Sequence, residues 1–131
     1  MPVEQFGIAT PQEGFIDITA TVREIVRRSN IQQGICQVFV PHTTAGVTIN
    51  ENADPDVVTD MLAAFGEMVP NLRYRHGEGN SPAHVKSSLV GCSITVPVVK
   101  NSLFLGTWQG IYFCEFDGPR RRQVCVQVLG S

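Results

Sequence analysis

Apolar and polar positions change period several times along the chain, and each change marks an element. Gly14-Phe15-Ile16-Asp17-Ile18 is a short β-prone run. Beyond it Val22, Ile25 and Val26 recur at helical spacing until Ser29-Asn30, and Thr21 and Glu24 stand at capping-box spacing. This predicts an amphipathic helix with Arg23, Arg27 and Arg28 on its wet side. Ile35-Cys36-Gln37-Val38-Phe39-Val40 reads as a buried strand running into His42. Val47-Thr48-Ile49-Asn50 alternates with period two, so Val47 and Ile49 face one side and Thr48 and Asn50 the other. Asp54-Pro55 is a helix start, because aspartate caps a backbone N–H and proline at the first helical position gives up a donor that had no partner. Val57, Val58, Met61, Leu62 and Phe65 form that helix's apolar face, which ends before Pro70. A polar, glycine-bearing loop spans 71–80, and Ser81-Pro82 repeats the cap-then-proline signal to open a short helix over 83–89. Strands follow at 93–99, 103–109, 112–116 and 123–129, with turns at Lys100-Asn101 and Asp117-Gly118-Pro119. Such short links predict antiparallel meanders. The fold class is therefore α+β, a single compact domain over 1–131 with antiparallel β-sheets and two to three helices, and 1–13 as a loosely ordered start.

A chain of 131 residues is long enough to bury a core without disulfides or metals as staples. Its formal charge of −2 leaves no broad basic surface to displace counterions from phosphates, so nucleic acid is not an expected partner. Arg120-Arg121-Arg122 is the one basic cluster. Cys36, Cys92, Cys114 and Cys125 show no CxxC spacing, and three of them lie in apolar strand-like runs, which predicts reduced, buried thiols. The N-terminus has no basic segment followed by an apolar one, and no run approaches the ~18 apolar residues that span a membrane. A cytoplasmic protein with no membrane partner is expected.

Candidate chemistry gathers between His42 and Asp56, where an imidazole and threonine hydroxyls are followed by amides and carboxylates. The three histidines, His42, His76 and His84, all lie in polar segments. Two readings stay open for them. Neutral imidazoles that converge can bind a divalent metal, with Glu51, Asp54 or Asp56 as oxygen ligands. Alternatively they hydrogen-bond phosphate oxygens, which suits His84 and Lys86 at a helix start. Asp54 has N-capping as a competing role. Thr43, Thr44 and Gly46 can present hydroxyls and backbone N–H groups to phosphate, and a turn after Pro41 uses the same residues. Trp108, the only tryptophan, is either a core aromatic or an edge-of-sheet platform that stacks a pyrimidine, with Gln109 hydrogen-bonding the ring. Glu115 and Asp117 flank Phe116, so alternation sends both to the opposite face, where they can hold Mg²⁺ or bracket Arg120 and Arg122.

The segments HTTAGVTINENADPD, YRHGEGNSPAHVKSSL and LGTWQGIYFCEFDGPRRR, in this order and spacing, closely resemble the YjbQ family (uncharacterised protein family 0047), whose members are described as secondary thiamine-phosphate synthases. The resemblance covers residues 14–129, and Lys100-Asn101-Ser102 stands where a glycine-bearing turn is expected. It implies an α+β fold, a homotrimer with sites near subunit boundaries, and a reaction that joins hydroxymethylpyrimidine diphosphate to a thiazole phosphate with loss of pyrophosphate. On that reading His42, His84 and Glu51 are catalytic, His42 contacting the diphosphate or acting as acid. Thr43, Thr44, Lys86, Trp108, Gln109, Arg120 and Arg122 bind the phosphorylated substrate. Asp54, Asp117, Glu115 and His76 are the metal ligands, with Glu51 as a further oxygen donor, and the cofactor is a divalent metal, Mg²⁺ or else Zn²⁺. The chain is too short for a (β/α)₈ barrel of ~200 residues or more, so such a synthase uses another scaffold. Two other classes stay open: a metal-dependent hydrolase of a phosphorylated small molecule, and a non-catalytic module that binds one.

Overall fold

Two antiparallel sheets share one core in the computed structural model, which describes residues 2–131. In chain order the elements are β1 (Glu4–Ala9), β2 (Gly14–Asp17), α1 (Thr19–Ser29), β3 (Gln33–Phe39), β4 (Ala45–Glu51), α2 (Pro55–Met68), α3 (Ser81–Val90), β5 (Ser93–Val99), β6 (Ser102–Leu103), β7 (Gln109–Glu115) and β8 (Arg121–Gly130). The five-stranded sheet has the order β1-β8-β3-β5-β6 and the three-stranded sheet β2-β7-β4. Period-two alternation decides which side chains meet. Cys36 and Val38 of β3, Val96 and Val98 of β5, and Val124, Val126 and Val128 of β8 point inward. Val47, Ile111 and Phe113 meet them from the three-stranded sheet, and α1 lays Val22, Ile25 and Val26 into the same core.

Strand β7 is buried on both faces, since its other side chains, Tyr112 and Cys114, lie under a second apolar cluster with Phe116 and Ala83. Phe65 of α2 reaches this cluster through Phe15 and Phe116, at ring separations of 6.5 and 6.1 Å. The apolar face of α2 is thus only half-buried, and Met68 and Leu72 beyond it are exposed.

Several local expectations change. The start of the chain is ordered: β1 pairs antiparallel with β8, Glu4 opposite Val126 and Ala9 opposite Arg121, and Phe6 and Ile8 pack on the core. Its hydrogen-bond partner lies over a hundred residues away, which local composition cannot reveal. Helix α1 begins at Thr19, two residues before the capping-box threonine; Asp17 Oδ1 accepts the Thr19 N–H at 2.9 Å, and Glu24 is taken up by Arg27 Nε at 2.8 Å. The strand expected over 103–109 shrinks to β6 and a turn, because Gln109 Oε1 accepts the Gly106 N–H at 2.8 Å. Lys100 and Asn101 take left-handed φ of 52° and 60°. Asparagine replaces glycine there with a gain, since its amide donates to Val26 O and Ile31 O at 2.9 and 2.7 Å. All four cysteines are free; Cys92 is exposed, whereas burial pushes the Cys36 thiol up to about 11. Among the described residues no helix is long and apolar enough to cross a membrane.

Candidate functional site

Where β3 gives way to β4, the chain passes through Pro41-His42-Thr43 and is pinned against the far end of α3. Val40 N–H bonds Cys92 O at 2.8 Å, Val47 N–H bonds Gly91 O at 3.1 Å, and Ser87 Oγ donates to Thr43 O at 2.6 Å. Gly46 is required by this approach, since a Cβ there would lie 2.5 Å from Gly91 O. Its glycine therefore serves packing and not a phosphate. The docking brings His42 and His84 to one cleft of about 390 Å³, with His76 of the 71–80 loop on its rim. Asp117, Arg120 and Arg122 line the same cleft. The three histidines come from three separate segments and meet only here.

Under the cleft lies a closed network. Arg122 and Glu115 form a doubly hydrogen-bonded ion pair, Nε to Oε1 at 2.8 Å and Nη2 to Oε2 at 2.6 Å. Thr10 Oγ1 donates to Oε1 at 2.6 Å, and the Asp117 N–H donates to Oε2 at 2.9 Å. Arg122 Nη2 also donates to Thr44 Oγ1 at 2.8 Å. Burial opposes ionisation of Glu115, but its bonds from Arg122, Thr10 and the Asp117 backbone outweigh that and hold the carboxyl below its usual range. Asp117 repeats the pattern nearer solvent: burial is outweighed by hydrogen bonds from Asn80 and Arg120, so its carboxyl is also lowered. Arg120 reaches it through Nη2 to Oδ2 at 3.0 Å and Nε to the Asp117 carbonyl at 2.7 Å.

His42 is fixed differently. Its Nε2 accepts the Gln123 N–H at 2.9 Å, which leaves the proton of the neutral ring on Nδ1. Burial, then the neighbouring Arg122 charge, hold this imidazole below the usual histidine range. A neutral His42 is a hydrogen-bond donor to a ligand oxygen and a poor acid at neutral pH. The His84 ring stands edge-on to His76 with centroids 5.4 Å apart, and His76 Nε2 lies 3.8 Å from Glu78 Oε1. Asn80, which also lines the cleft, did not stand out in the sequence, and Glu78, which lines it too, did so only as a polar residue of the 71–80 loop. Glu78 sits two residues from His76, the one local hint available.

Other candidates are placed elsewhere. Lys86 is buried against Glu13, Nζ to Oε2 at 2.8 Å, away from the cleft. The reason is helical geometry: residues two apart face different sides, so His84 and Lys86 cannot share a ligand. Asp54 caps α2 by accepting the Asp56 N–H at 2.9 Å. Glu51 and Gln109 face one another in the β4–β7 register, at the end of the three-stranded sheet remote from Ala45 and Glu115. At a rise of ~3.3 Å per residue, that end lies roughly 20 Å away. Trp108 is there too, 63% exposed and therefore no core aromatic, with Asn52 N–H bonding its carbonyl at 3.0 Å.

A resident metal does not fit this donor set. All four lone-pair directions of the Glu115 carboxylate are used by Thr10, Arg122 and the Asp117 N–H, so it has no position left for a cation. Asp54 is committed to its cap and remote from the histidines. Among the described residues no three His, Cys, Asp or Glu side chains are placed to hold a metal ion.

A family model described as UPF0047 protein YjbQ-like matches residues 4–131, so the first strand counts as part of the domain. The UPF0047 protein YugU of Bacillus subtilis is 52% identical over 123 residues, covering 92% of this chain and 93% of that protein. A UPF0047 protein of Methanocaldococcus jannaschii is 50% identical over 121 residues, 92% and 88% of the two. Among solved structures, a YjbQ/UPF0047 family protein of Clostridium acetobutylicum superposes with a TM-score of 0.93 at 49% identity, covering 96% of this chain and 99% of that one. A hypothetical protein of Aeropyrum pernix superposes with a TM-score of 0.94 at 36% identity over the whole of both chains.

Proposed function

We propose that this chain, which belongs to the YjbQ-like UPF0047 family, binds a phosphorylated small molecule in the three-histidine cleft and turns it over as a thiamine-phosphate-synthase-like transferase. The observation that carries the reading is the meeting of His42, His76 and His84 with Arg120 on one polar cleft. Joining hydroxymethylpyrimidine diphosphate to a thiazole phosphate expels pyrophosphate and asks the protein mainly to orient the partners and neutralise the leaving charge. His42 donates from Nδ1 to a diphosphate oxygen, while His84 and Arg120 take the remaining oxygens. Thr43 adds a hydroxyl at the rim. Arg122 shapes the floor through Glu115 and Thr44 and contributes field more than free donors. Mg²⁺ arrives with the diphosphate, as magnesium commonly does on substrate phosphates.

Trp108 and Gln109 lie too far from the cleft of their own chain to orient a pyrimidine held there. The proposal therefore includes a homotrimer in which a neighbouring copy brings them. Ile35, Phe39 and Leu129, exposed on the outer face of the five-stranded sheet, offer apolar surface for such an assembly. Light scattering at micromolar concentration reads it. A non-catalytic module is the second reading, favoured by the pairing of Arg120 and Arg122 with carboxylates, which leaves the cleft near neutral. A metal-dependent hydrolase draws on ligands that the cleft does not assemble.

The test is thiamine phosphate formation from the two phosphorylated precursors with Mg²⁺, using protein made in a host without its own synthase. Wild type is expected to turn over, and His84→Ala to be at least about tenfold slower, which is ~1.4 kcal/mol of transition-state stabilisation. Equal rates in the two proteins overturn the site. Pyrophosphate binding without turnover transfers the reading to the binding module.

A further inference from the structure

Asn80 occupies the N-cap of α3, where an asparagine ordinarily accepts an N–H of the first turn through its side chain. Here α3 has no side-chain cap hydrogen bond. The amide instead reaches across the cleft wall, Nδ2 donating to Asp117 Oδ2 at 2.8 Å, and its Oδ1 is buried with no hydrogen-bond partner. The reverse assignment of the amide would set its oxygen against a carboxylate, so the orientation is determined. A forgone cap and an orphaned acceptor are two local costs at one residue, and such costs concentrate where function demands them.

What they secure is a tie between the start of α3 and the turn that carries Arg120. On one side Asn80 O accepts the His84 N–H at 3.3 Å, placing the imidazole one turn along the same helix face. On the other, the Asp117 oxygen that Asn80 holds is the one that Arg120 Nη2 bonds at 3.0 Å. Among the described residues no other side-chain hydrogen bond joins α3 to the turn that carries Arg120, and Lys86 is committed to Glu13. We infer that Asn80 is a positioning residue, which ties the turn of the Asp117–Arg120 pair to the start of α3 and so holds Arg120 in place relative to His84 for a bound phosphoryl group. The inference rests on the phosphate-binding reading of the cleft and extends it to a residue that acts through Asp117 and Arg120.

Two substitutions separate this from a merely structural tie, since Asn80→Ser and Asn80→Asp both supply a good cap acceptor while removing the longer Nδ2 amide donor to Asp117. The readouts are the thermal midpoint and the affinity for inorganic pyrophosphate by calorimetry, with His84→Ala as the control that places the probe in the cleft. Expected are a midpoint no lower than wild type in Asn80→Ser and pyrophosphate affinity at least tenfold weaker in both variants, Asn80→Asp losing more affinity and also some stability because it sets two carboxylates face to face. Affinity equal to wild type in Asn80→Ser overturns the inference. So does a parallel fall of midpoint and affinity in both variants, which marks a structural tie. A wild type that binds no pyrophosphate, or a His84→Ala protein that binds it as well as wild type, removes the phosphate reading itself and the inference with it.

Discussion

Glu115–Arg122 and Asp117–Arg120 are two arginine–carboxylate pairs drawn from one strand, turn and strand, and they differ in place more than in chemistry. Glu115 shares its parity on β7 with Ile111 and Phe113, and Arg122 shares its parity on β8 with Val124 and Val126, so both are carried into the space between the sheets. Their side chains are 0% and 6% exposed. Asp117 and Arg120 lie past the strand ends, at 24% and 50%. The inner pair spends its hydrogen bonds on Thr10, Thr44 and the backbone and belongs to the architecture. The outer pair keeps a face toward solvent and lines the cleft. A charged motif therefore divides its labour by strand parity.

That division is open to attack in order of expected effect. Glu115→Ala leaves Arg122 buried without its counter-charge, and a loss of about 3–5 kcal/mol in urea unfolding is expected; a loss under about 1 kcal/mol would place the pair in the outer class. Next comes acid. Both carboxyls are lowered in the folded protein, so their stabilisation is complete above the unfolded carboxylate pKa and is lost as pH falls through the folded values. The thermal midpoint of wild type should fall steeply below about pH 4, and Glu115→Gln, already destabilised, should fall less steeply over that range. Arg120→Ala should weaken pyrophosphate binding about tenfold while changing stability by less than about 1 kcal/mol, as exposed pairs do. The smallest effect belongs to the remote end of the three-stranded sheet. Trp108→Ala should leave unfolding free energy within about 0.5 kcal/mol of wild type, and any larger loss would mean that the exposed indole is packed in the assembled protein.

Much of this is legible in the sequence itself. Strand parity already placed Glu115 on the same face as Ile111 and Phe113, the pattern of a buried carboxylate and not of a metal ligand. The two-residue spacing of His84 and Lys86 already separated them on a helix. Asp54-Pro55 carried its cap openly, and the structure keeps it there. Asn80 carried a signal of the opposite kind, since its residue type and position suggest an ordinary cap; only its neighbour Asp117, 37 residues on, explains why it is not one.

The sequence by itself determined most of the elements, their antiparallel linkage and the short roster of polar groups that can do chemistry, because hydrophobic period, capping residues and turn residues act over a few neighbours; β1, paired with a strand over a hundred residues away, lay outside that reach. Tertiary structure alone decided which of those groups share a cleft. His42 and His84 meet because Gly46 lets β4 lie against Gly91, and Glu51 and Trp108 are kept from them by the length of β4 itself. Contacts between segments forty and more residues apart depend on register and on hydrogen bonds between unlinked strands and helices, and no local pattern in the chain encodes those distances.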